Sequence, residues 1–258
     1  MKHSVPLVCA GIALVLSLLT SCGTAAPTSV VAGPPQASAA ETTSTSTEAP
    51  PAAAPKVTTG QDSITVKGSG NGESTPIAFD QPYYIVKTTN AAAGDYGTVQ
   101  VSVKGAELPT IMTMNAEYTT VFQPTSSSVV LTIEATGGYT LEFTKPPSLT
   151  GAKSAPQTFK GGAGTTVTPP VTTAGTYVKL SLAYTGKADP NGKTGAMLAT
   201  ATIYDAVTGD GVLNLPKYVN KAKTEDSDGS TRDGPGTYFL IVTGQSAEDT
   251  WEASITEE

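Results

Sequence analysis

Apolar residues run almost unbroken from Leu7 to Leu19. The run covers about 13 residues, too short for a bilayer-spanning helix, which needs about 20. A short polar start, Lys2 and His3, precedes it, and Leu19-Thr20-Ser21-Cys22 closes it. This is the layout of a secretory signal. Between Gly23 and about Thr59 large apolar residues nearly vanish, and Ala, Thr, Ser and Pro prevail. Apolar positions then return in short sets that skip every second residue. Ile64 and Val66 form one; Val99, Val101 and Val103 another; Leu131, Ile133 and Ala135 a third. Later sets are Val178, Leu180 and Leu182; Ala199, Ala201 and Ile203; Tyr238, Leu240 and Val242. A period of two is the mark of strands with one buried face. Gly, Pro, Asn and Ser clusters separate the sets, and extended helix-period stretches are absent after the signal. The expected fold class is therefore all-β.

A weak internal repeat organises these strands. Lys67-Gly-Ser-Gly-Asn-Gly-Glu-Ser-Thr75-Pro76 lines up with Lys160-Gly-Gly-Ala-Gly-Thr-Thr-Val-Thr168-Pro169. Continued without a gap, the register sets Tyr84 on Tyr177. Near the ends, Leu131, Ile133 and Ala135 precede Thr136-Gly137, as Tyr238, Leu240 and Val242 precede Thr243-Gly244. A last strand opens with an aromatic in each copy, Tyr139 and Trp251. The expected layout is a signal peptide over 1–21 and a lipidated N-terminus with a disordered stalk over 22–59. Two tandem small antiparallel β-sandwich modules follow, over 60–147 and 148–258, joined by a short stiff hinge between Lys145 and Pro156. The stalk, typified by Glu41 to Pro55, buries too little apolar surface to offset its ordering entropy. As a flexible coil it would span roughly 35 Å. Its Thr/Ser-rich, proline-containing composition is also that of O-glycosylated stalks.

The N-terminal pattern resembles that of bacterial lipoproteins, and the stalk resembles those of actinobacterial ones. Leu19, Thr20 and Ser21 match the residues read by the lipoprotein signal peptidase, and the resemblance implies diacylglycerol on Cys22. Two acyl chains anchor stably where one does not. The implied location is the extracytoplasmic face of the cell membrane. Cys9 would leave with the signal, so no disulfide would form in the remainder. Each half, chiefly through Gly236-Thr-Tyr-Phe-Leu-Ile-Val242 and Trp251, is also similar to the jelly-roll domains of bacterial pre-peptidase C-terminal type. That similarity implies a β-sandwich and a general accessory or binding role, not a ligand.

Charge and residue chemistry narrow the function. The net charge is -7 and Arg232 is the single arginine, with no basic cluster, so a nucleic-acid partner is not expected. His3 is the single histidine and would be lost on cleavage. No Ser-His-Asp triad or Cys-His pair could then form, and no enzyme is expected. Gly68-Ser-Gly-Asn-Gly72 lacks the Lys-Ser/Thr ending of a phosphate-binding loop and reads as a turn. Oxygen ligands cluster in Glu225-Asp-Ser-Asp-Gly-Ser-Thr-Arg-Asp-Gly234. There Asp226, Asp228 and Asp233 are candidate calcium ligands, against a plain solvated acidic loop between strands. Tyr83, Tyr84, Tyr177, Tyr238 and Trp251 are expected in a sandwich core, with a sugar-stacking groove as the other reading. The leading expectation is a non-enzymatic accessory lipoprotein whose partners are an envelope protein, peptide or glycan. The alternatives are a calcium-stabilised pair of carbohydrate-binding modules, and a phage- or plasmid-encoded lipoprotein that modifies the host surface.

Overall fold

A computed structural model describes residues 53–92, 97–185, 197–218, 224–244 and 250–258. The signal segment and most of the expected stalk lie outside these ranges. Over the described residues the chain is all-β, built from several sheets whose ladders are antiparallel apart from one short parallel pair, Lys153–Ser154 on Val171–Thr172. The first half contains β1 (Lys56–Thr59), β2 (Ser63–Ser69), β3 (Gly72–Glu73), β4 (Ile77–Ala78), β5 (Tyr84–Asn90), β6 (Val99–Val103), β7 (Ile111–Thr113), β8 (Glu117–Phe122), β9 (Ser128–Val129), β10 (Leu131–Ala135) and β11 (Gly138–Thr144). The second contains β12 (Lys153–Ser154), β13 (Gln157–Gly161), β14 (Gly164–Val167), β15 (Val171–Thr173), β16 (Val178–Thr185), β17 (Met197–Asp205), β18 (Gly211–Tyr218), β19 (Thr224–Thr231), β20 (Gly236–Gly244) and β21 (Thr250–Glu257). Strand β1, within the segment expected to be stalk, pairs antiparallel with β2.

In the first half the sheets run β1-β2-β11-β5-β8 and β3-β10-β6-β7, with β4 and β9 as a separate ladder. In the second they run β13-β21-β16-β19 and β12-β15-β20-β17-β18, with β14 also on β20. The order β2-β11-β5-β8 thus recurs as β13-β21-β16-β19. The order β3-β10-β6-β7 recurs as β14-β20-β17-β18. The alternating residues fill two cores. Ile64, Val66, Val86, Leu131, Ile133, Leu141 and Phe143 contribute to the first. Leu180, Leu182, Ala201, Ile203, Leu240, Val242, Trp251 and Ile255 contribute to the second. Burying each large aliphatic or aromatic side chain is worth about 1.5–3 kcal/mol.

The correspondence of strand order extends to the ladders. Gly68 pairs with Tyr139, and Gly161 pairs with Trp251. The expected match of Tyr84 with Tyr177 is off by one. Tyr139 faces Asn90 and Trp251 faces Tyr184, which sets Tyr84 on Val178. A slip of one residue in a strand exchanges its faces. Accordingly Tyr84 and Val178 are buried, whereas Tyr177 is 40% exposed.

The two halves also pack against each other. A third apolar cluster joins them: Tyr83 and Ile85 from the first half meet Ala206, Phe239 and Ile241 from the second. The Phe239 ring stacks on Tyr83 at 6.0 Å between centroids and on Tyr204 at 5.4 Å. The Tyr83 hydroxyl donates to the Ala206 carbonyl at 2.9 Å. Gln123 Nε2 donates to the Thr208 carbonyl at 3.0 Å and to Asp210 Oδ1 at 2.9 Å.

Burial, with the Asp205 carboxylate second, pushes the Tyr83 phenol up to about 12. A raised pKa means that the fold prefers the neutral phenol. The resulting stability is complete below the ordinary tyrosine pKa of about 10. It is lost as pH rises from there through about 12. Urea unfolding between pH 9 and 12 should show the wild type losing stability more steeply than Tyr83→Phe. Below pH 9 that variant should be weaker by about 0.5–1.5 kcal/mol for the lost hydrogen bond. Parallel pH profiles would show that Tyr83 does not carry the alkaline sensitivity.

Candidate functional site

Leu19, Thr20, Ser21 and Cys22 lie outside the described residues. The acidic segment is a strand where a loop was expected. Asp226 sits opposite Ala183 and Asp228 opposite Ser181 in the β16–β19 ladder. The side chain of Asp226 also lies outside the described part. Asp228 is exposed. Asp233 follows the strand; its carboxylate accepts the Thr231 hydroxyl, and its carbonyl accepts the Tyr238 hydroxyl. Among the described residues no three His, Cys, Asp or Glu side chains come together to hold a metal.

Four of the five singled-out aromatics fill the interior. Tyr83, Tyr84, Tyr238 and Trp251 are all buried. Each polar tip has a partner, as buried Tyr and Trp require. The Tyr84 hydroxyl donates to Asp80 Oδ1 at 2.5 Å, and Trp251 Nε1 donates to the Gly162 carbonyl at 2.9 Å. These rings therefore do not line a sugar-stacking groove. The Tyr84 hydroxyl, and then Lys145 at 3.1 Å, hold the Asp80 carboxyl below the usual carboxylate range.

A cleft forms where the first half meets the outer face of the β18-β17-β20 sheet. Strand alternation builds its floor. Ala199, Ala201 and Ile203 of β17 point into the core, so Thr200, Thr202 and Tyr204 face outward. Leu240 and Val242 of β20 do the same for Phe239, Ile241 and Thr243. Leu215 of β18 does so for Asn214 and Pro216. The first half covers the Phe239 end of this face. The rest stays open as a cleft of about 310 Å³, walled by Asn115, Glu117, Tyr118 and Thr119. That volume lies at the low end of the range for small-molecule sites.

The floor mixes internally bonded Thr and Asn groups with the apolar surfaces of Tyr204, Pro216 and Ile241. Asn214 Nδ2 donates to Thr202 Oγ1 at 2.7 Å. Thr165 and Thr243 hydroxyls meet at 3.1 Å. Burial raises the Tyr204 phenol, and hydrogen bonds from the Thr120 and Thr202 side chains oppose that rise. Thr120 belongs to the first half and Tyr204 to the second, so this polar network spans both. At the wall, Lys87 Nζ neutralises Glu117 Oε2 at 3.0 Å. Sequence reasoning found β17 as a strand but missed this site. The signal was present in the threonines between its core residues; the wall, about 80 residues earlier in the chain, was not foreseeable.

The sequence matches no protein-family model and no curated protein. Among solved structures, the chain is similar to the CUB1-EGF-CUB2 domains of rat MASP-1, with 11% identity and a TM-score of 0.23. That match covers 78% of this chain and 96% of the other. It is also similar to the N-terminal CBM22-1-CBM22-2 tandem domain of Paenibacillus barcinonensis Xyn10C, with 11% identity and a TM-score of 0.24. Here 79% of this chain and 91% of the other are covered. TM-scores this low carry no argument about function.

Proposed function

We propose that this protein is a lipid-anchored lipoprotein of the bacterial cell envelope with a non-enzymatic binding or accessory role. The observation that carries the reading is Leu19-Thr20-Ser21-Cys22 placed directly behind an apolar run of signal-peptide length. Cleavage there leaves Cys22 as the attachment point for two acyl chains, enough for stable anchoring. It also removes His3 and Cys9, and with them histidine- and thiol-based nucleophilic catalysis. The recurrent strand order supports two tandem jelly rolls, each with two four-stranded sheets at its centre. The shared apolar cluster supports their acting as one displaced body, tethered by residues 22–55.

The test is expression in a bacterial host with a lipoprotein pathway. The wild type is expected in the detergent phase of a Triton X-114 partition, with diacylglycerol on an N-terminal Cys22 by mass spectrometry. Cys22→Ser is expected to carry no diacylglycerol and to keep the signal uncleaved, with the mass of the full chain. A wild-type chain that is cut elsewhere, or that carries an unmodified Cys22, would end the lipoprotein reading.

A further inference from the structure

We propose that the cleft between the two halves binds a neutral oligosaccharide segment of the envelope. This deepens the binding role above and rests on it. The first argument is charge. Glu117 is the one carboxylate among the lining residues, with no Lys or Arg there, and Lys87 already pairs with it. Among the described residues an anionic ligand would find no cation but Lys87, which Glu117 already engages, and a cationic one would compete with that ion pair.

The second argument is the kind of polar group offered. The floor presents Thr200, Thr202, Asn214 and Thr243. A threonine hydroxyl gives one donor and two acceptor sites, and an asparagine amide gives two of each. Ring hydroxyls of a sugar are donor and acceptor at once, and adjacent ones match such a surface. The internal bonds of Asn214 to Thr202 and of Thr165 to Thr243 fix these groups before binding, which lowers the ordering cost.

The third argument separates a glycan from a peptide. An extended peptide binds by adding to a free strand edge. The central floor strand, β17, is paired on both sides, with β18 and with β20. At its centre the cleft therefore offers side chains and no spare backbone; the free edges belong to β18 and β8 at its rims, and an extended peptide bound along either rim would overturn the glycan assignment.

The test uses the full-length protein in detergent, titrated with the hexasaccharides of cellulose, xylan and α-mannan. Hexagalacturonate serves as the anionic comparator. At least one neutral hexasaccharide is expected to bind, and hexagalacturonate is not. Chemical shifts should move at Asn214 and Thr202. Thr202→Val and Asn214→Ala should each weaken binding about tenfold, the equivalent of one well-placed hydrogen bond. Ser181→Ala, in the opposite sheet, should bind as wild type. Thr200→Arg, which fills the cleft, provides a second block that does not depend on the floor network. The assignment is overturned if no neutral hexasaccharide binds, if hexagalacturonate binds as well, or if the cleft variants keep wild-type affinity. A chain that carries lipid at Cys22 yet ignores every hexasaccharide keeps its anchor and loses this ligand.

Discussion

Phe239→Ala is expected to destabilise the protein by about 3–5 kcal/mol and to split its unfolding into two steps. Phe239 does not point into the core of its own half. Its neighbours Tyr238 and Leu240 do, and it faces the first half, where it is fully buried. Its ring is stacked on Tyr83 and on Tyr204, and such pairs add about 0.5–1.5 kcal/mol beyond the area they bury. Either half unfolding alone would expose this cluster to water, so in the wild type the halves should unfold together. Truncation leaves a hole in the joint while both inner cores stay intact. Urea unfolding checks this with two probes. Trp251, the single tryptophan, reports on the second half by fluorescence, and amide exchange of β2 and β11 reports on the first. Coincident wild-type transitions should separate in the variant. Coincident transitions with an unmoved midpoint in Phe239→Ala would mean that the cluster does not couple the halves.

The joint has a trace in the sequence that alternation alone conceals. Strands with one buried face read apolar at every second position, as Ala199-Thr-Ala-Thr-Ile203 does. Tyr83-Tyr-Ile-Val86 and Tyr238-Phe-Leu-Ile-Val242 are apolar throughout, as strands buried on both faces are. These two runs meet each other in the joint. Where β17 alternates, the outer face is left to threonine, and the cleft lies there. The acidic strand β19 was not legible, because Thr224–Thr231 holds no large apolar residue to give a period. Its extension is imposed by eight paired positions on β16. The misplaced Tyr177 has a related cause. Alignment across loops conserves residue type at no cost, whereas a ladder conserves the face, so Val178 and not Tyr177 replaces Tyr84.

Gly161→Ala is expected to cost about 1–3 kcal/mol, more than Gly68→Ala, although the two glycines are counterparts. Each lies opposite the aromatic that opens the last strand of its half. A β-carbon at Gly161 would stand 2.3 Å from Cζ2 of Trp251, within the body of the indole. The indole cannot easily yield, because its Nε1 is held by the Gly162 carbonyl and the ring is buried. At Gly68 the nearest atom is the Tyr139 hydroxyl at 2.5 Å, the far end of an equally buried ring, so a smaller shift of the phenol relieves the contact. Glycine is therefore required in each copy to let an aromatic lie across the neighbouring strand, and the demand is stricter in the second. A double-mutant cycle isolates the contact. In a Trp251→Leu background, itself destabilised by the smaller side chain, Gly161→Ala should cost markedly less than in the wild type. Equal costs in the two backgrounds, measured by urea unfolding followed by circular dichroism, would show that the indole is not what excludes a side chain at position 161.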